Sequence, residues 1–112
     1  YNTKNWAGVR DSWEKSLALE PDNAQVLNNL AWHYATCEDE RFQDPDRALA
    51  MAKLAIRLER LPHVWDTLAE SYYVNGMYRE ALEAGKQALA LAGKKRIYYE
   101  DQLEKFSNAA GN

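Results

Sequence analysis

Residues 65–72 read Trp65-Asp66-Thr67-Leu68-Ala69-Glu70-Ser71-Tyr72, and the pattern large-x-x-Leu-Ala-x-x-Tyr within them decides the fold. Leu27, Leu30, Ala31 and Tyr34 repeat the same spacing, each displaced by 38 positions. Offsets of three and four put the four side chains on one face of a helix. The chain thus holds two copies of one amphipathic helix.

Working outward, a second helix follows each copy. Ala48, Ala52 and Ala55 correspond to Ala81, Gly85 and Ala88, displaced by 33. Val9, Trp13 and Ser16 have the same spacing and lie 39 before Ala48, Ala52 and Ala55; Tyr99 and Phe106 lie 34 after Trp65 and Tyr72. A period near 34 residues is the length of a helix-turn-helix repeat. Tyr34 to Ala48 spans 14 residues and Tyr72 to Ala81 spans 9, so the earlier copy carries five extra residues in its internal turn.

The segment Trp65 to Gly93 resembles a tetratricopeptide repeat. It reads Trp65-x2-Leu68-Ala69-x2-Tyr72-x3-Gly76-x-Tyr78-x2-Ala81-x6-Ala88. The family has Gly where Ala69 stands, a large ring where Gly85 stands, and a proline where Gly93 stands. The half-repeat Trp6 to Pro21 keeps that proline. Ala35-Thr36-Cys37, an acidic turn and Asp44-Pro45 look like a variant of bacterial tetratricopeptide proteins.

The expected architecture is one all-α domain over 1–112, an α-solenoid of helix-turn-helix repeats. Residues 5–21 form the second helix of a truncated repeat. Residues 24–60 form a repeat with an extended internal turn, 62–93 a further repeat, and 96–108 a capping helix. The boundary residues agree. Asn23 and Asp44 are N-cap types, and Pro45 and Pro62 suit a first helical position. Gly76 and Gly93 sit where a helix end favours positive φ. Ala31, Ala69, Ala48, Ala55, Ala81 and Ala88 let helices approach, while Leu30, Leu54, Leu68, Tyr34 and Tyr72 fill the gaps.

Composition narrows the function. Hydrophobic residues are 46 %, charged residues 28 % and the net charge is −3. There is no basic stripe for nucleic acid and no apolar run long enough to insert in a membrane. There is no phosphate loop, Cys-x-x-Cys or visible catalytic triad, so no catalytic residue and no enzyme activity is expected. His63, Asp66 and Glu70 share a helix face but lack a zinc-motif spacing, so no metal or cofactor is expected. Cys37, the sole cysteine, precedes Glu38, Asp39 and Glu40, which disfavour a thiolate.

The resemblance implies a protein–protein interaction scaffold, with first helices lining a concave groove that takes a peptide or helix. The groove candidates are Gln25, Asn28, Asn29, Trp32, Thr36, His63, Asp66, Glu70 and Tyr73, with Ile97, Glu100 and Glu104 extending the row. Trp32 and Tyr73 would be exposed aromatic anchors. The cations of the family's carboxylate clamp are absent, since His63, Asp66 and Thr67 stand in their places. An acidic, aromatic groove favours a basic or amphipathic segment. The alternative is a structural segment of a larger repeat protein with no ligand of its own. It would self-associate into a homo-oligomer through Trp6, Val9 and Trp13, left bare unless residues 1–4 or another chain cover them. Phe42, in the extended turn, is expected to tuck onto the helices.

Overall fold

The computed structural model describes residues 5–111, so residues 1–4, the proposed cover for the first helix, lie outside the described residues. Six α-helices account for most of the described residues: α1 (Trp6–Leu19), α2 (Ala24–Thr36), α3 (Pro45–Leu58), α4 (Pro62–Val74), α5 (Tyr78–Ala90) and α6 (Arg96–Ala109). There is no strand among the described residues.

Local chemistry places the ends. The Asn23 side chain accepts from the Val26 N–H and that of Asp44 from the Arg47 N–H, each capping the helix it precedes. Pro45 and Pro62 open α3 and α4, where a missing N–H costs nothing. The turn after α4 needs the left-handed conformation of Gly76 (φ 74°).

Consecutive helices pack as nearest neighbours, α2 on α3 and α4 on α5, with α2 also against α4. Ala31, Ala48, Ala52, Ala55, Ala69 and Ala81 have no exposed surface. Leu27, Leu30, Val64 and Phe106 are the large side chains buried among them. Helix α1 is less committed: it has no fully buried residue, and Trp13 and Leu17 pack only at the margin of the core.

Three packing expectations need correction. Leu54 does not fill a gap between helices; about half of it is exposed. The core face of α3 is Ala48, Met51, Ala52 and Ala55, and Leu54 falls on its flank beside Leu58, near Pro21 and Leu27. Tyr73 is not a free anchor. Its ring lies 5.8 Å from that of Phe106 and 5.7 Å from that of Tyr78. Trp6 and Trp13 do not form an open patch together, because both rings pack on His33 of α2, at 6.1 and 5.9 Å.

The extended turn contains a single 3-10 turn, Glu40–Phe42. Phe42 is half-buried, with the Arg10 guanidinium of α1 5.3 Å from its ring centre. A second tie joins α1 to the repeat that follows: the Tyr34 hydroxyl donates to Glu14, which also pairs with Arg47 at 2.8 Å. Burial, and then the Glu14 carboxylate, push the Tyr34 phenol up to about 12.

Gly85 shows how α6 is seated. A Cβ there would lie 2.8 Å from the Phe106 ring and 3.3 Å from Leu103. The ring that the family pattern carries at this position is supplied instead by the next helix. Gly85→Ala should therefore lower the melting midpoint. Overpacking costs about 1–3 kcal/mol and outweighs the roughly 0.5–1 kcal/mol that alanine gains over glycine in a helix. A raised midpoint would show that α6 can retreat freely.

Candidate functional site

Helices α2, α4 and α6 leave a groove of about 570 Å³ between them, which Trp13 of α1 also borders. Helix α2 contributes Gln25, Asn28, Asn29 and Trp32; α4 contributes His63, Asp66 and Thr67; α6 and the turn before it contribute Lys95, Tyr98 and Tyr99. The structure thus brings together Gln25, Asn28, Asn29, Trp32, His63 and Asp66 from the sequence-derived set. It does not bring Thr36, Glu70 or Tyr73 to the groove. The Thr36 hydroxyl donates to the Trp32 carbonyl at 2.7 Å, as a helix-interior threonine does.

The acidic row expected to be exposed is not exposed at Asp66 and Glu70. Both are buried under α6. The Tyr98 hydroxyl donates to Asp66 Oδ2 at 2.9 Å. Gln102 Nε2 donates to Asp66 Oδ1 at 3.0 Å and to Glu70 Oε1 at 3.2 Å, so one amide bridges two carboxylates. Lys105 Nζ donates to Glu70 Oε1 at 2.6 Å, beneath the face of the Tyr73 ring. Burial raises the Asp66 carboxyl above the usual range, partly offset by the bonds from Gln102 and Tyr98. Burial followed by the Asp66 charge raises the Tyr98 phenol.

Repeat spacing contained the signal for this network. Tyr98, Gln102 and Lys105 lie 34 after Val64, Leu68 and Ser71, all of which are buried. Polar side chains on a core-facing register must find partners, and these find Asp66 and Glu70. Ile97, Glu100 and Glu104 are exposed, although Glu100 and Glu104 lie 34 after the buried Asp66 and Glu70.

Among the described residues two buried side-chain polar atoms have no hydrogen-bond partner, Asn28 Oδ1 and His33 Nε2. Asn28 is 6 % exposed and lines the groove. His33 sits among the rings of Trp6, Trp13 and Tyr34. Burial, and then the Arg10 charge, lower its pKa and favour the neutral ring. At the groove rim His63 Nε2 lies 3.4 Å from Gln25 Oε1, tying α4 to α2. Cys37 is buried. Among the described residues no group of three or more His, Cys, Asp or Glu could hold a metal ion. No helix among them is long and apolar enough to cross a membrane.

The Gln102 amide is the joint of this site. Gln102→Leu strips a donor from two buried carboxylates and should cost about 1–3 kcal/mol. Amide exchange should accelerate in α6 before it does in α2 or α3. Unchanged exchange would place the whole hold of α6 on Phe106.

Residues 62–95 match the family model for the tetratricopeptide repeat. No match was found among curated proteins. The matched span contains α4 and α5 with the turn that follows, and it supports a protein–protein interaction scaffold as the class of function. Residues 62–95 are a tetratricopeptide repeat, and the chain that carries them is an all-helical repeat protein.

Proposed function

We propose that the chain holds a segment of a partner protein in the groove between α2, α4 and α6. The observation that carries this reading is the make-up of the groove. Rigid rings from Trp13, Trp32 and Tyr98 line it, together with the side-chain amides of Gln25, Asn28 and Asn29. Aromatic rings supply large contact area at small entropic cost, and side-chain amides can read a peptide backbone. The repeat family is typically a non-catalytic scaffold, which agrees with a binding role.

Phage-displayed linear peptides selected on the wild-type protein provide the test. Trp32→Ala should weaken the selected peptides by about 30-fold or more, the loss of a central aromatic contact. The thermal midpoint should move little, because Trp32 is only half-buried. Selected peptides that are indifferent to Trp32→Ala would move the binding surface elsewhere.

Self-association through α1 is the second reading. It is favoured by Val9 and by Leu19, which is 80 % exposed, on a helix without a fully buried residue. Under it the protein sediments as a dimer at high concentration, and Val9→Glu returns it to monomer. A wild type that stays monomeric excludes it. Trp13 is the wrong probe for this question, since it packs on His33 and borders the groove.

A further inference from the structure

We infer that the groove reads a cationic side chain of the bound segment, an arginine or lysine, which enters among the rings of Trp13, Trp32 and Tyr98 and meets Asp66. The inference rests on the groove reading above and narrows its ligand.

The argument begins with the two buried carboxylates. Glu70 has a cation of its own, the Lys105 ammonium at 2.6 Å. Asp66 has no such direct partner: its hydrogen-bond donors are the Tyr98 hydroxyl and the Gln102 amide, both neutral, and Lys105 acts on it only without direct pairing. Asp66 is 4 % exposed and borders the groove. A buried carboxylate without a counter-ion is costly, and a cation brought against it recovers much of that cost.

The rings of Trp13, Trp32 and Tyr98 that line the groove point the same way. A guanidinium or ammonium presents only donors to a carboxylate, and a cation among aromatic faces is held by the ring quadrupoles as well as by the carboxylate. Lys95 also borders the groove, but it is exposed, and its charge is screened by water far more than the buried charge of Asp66.

The phage-selected peptides supply the experiment. They should share an arginine or lysine. Replacing that arginine by citrulline, its neutral isostere, or the lysine by norleucine, should weaken binding to the wild type at least tenfold. With Asp66→Asn the same replacement should cost less than about threefold. Asparagine can keep the bonds to Tyr98 and Gln102, and an unchanged thermal midpoint would verify that the variant is folded. Tyr98→Leu, a substitution at a partly exposed ring, should shrink the neutral-isostere penalty independently, which keeps the question open to test if Asp66→Asn does not fold. Peptides without a shared basic residue, or a penalty that persists undiminished in both variants, would overturn the cation reading while leaving segment binding in place. Failure to select any peptide would overturn both.

Discussion

The structure depends on how closely its paired helices approach. Six alanines on α2, α3, α4 and α5 have no exposed surface, and they stand where larger side chains would hold the helices apart. Close approach lets Leu27, Leu30 and Val64 be buried completely, each contributing about 1.5–3 kcal/mol relative to an exposed position. No helix has a core of its own. Each buries its apolar stripe only against its neighbours, so stability is nearly a sum of neighbour terms. The same constraint explains the weakness of α1. Its register carries Trp13 where α3 and α5 carry Ala52 and Gly85, and the bulky indole packs beside His33 at the margin of the core.

Helix α6 is held by a different combination. Phe106 enters the space left by Gly85, an apolar contact that a single methyl group would disturb. Beside it runs a polar seam in which Tyr98, Gln102 and Lys105 meet Asp66 and Glu70. The seam seats α6 against α4 through long polar side chains, and the groove lies between α2, α4 and α6.

Much of the fold was legible because helical repeats advertise themselves twice, through apolar offsets of three and four and through displacement by one repeat length. The caps at Asn23 and Asp44, the prolines and the positive φ of Gly76 are local signals, and they needed no tertiary information. Burial of polar residues was less legible. Asp66 and Glu70 read as solvated charges because position on one helix does not reveal what the next helix brings to them. Leu54 failed for the converse reason. A leucine one step off the stripe looks like core in composition, and only the helix azimuth puts it outside. Six groove residues were anticipated from their helix face. Trp13, Lys95, Tyr98 and Tyr99 were missed because they reach the groove from neighbouring elements, and Thr67 of α4 was missed beside them.

The seam and the groove share Asp66, and this bears on why a carboxylate stands there. Holding α6 needs an acceptor for Tyr98 and Gln102, which a neutral amide oxygen would provide. A carboxylate does the same work at greater cost, since burial opposes its ionisation more than those two bonds favour it. Glu70 differs because Lys105 neutralises it within the fold. On the cation reading proposed above, that cost is met from outside the chain: Asp66 lies one helical turn from Glu70 and borders the aromatic groove.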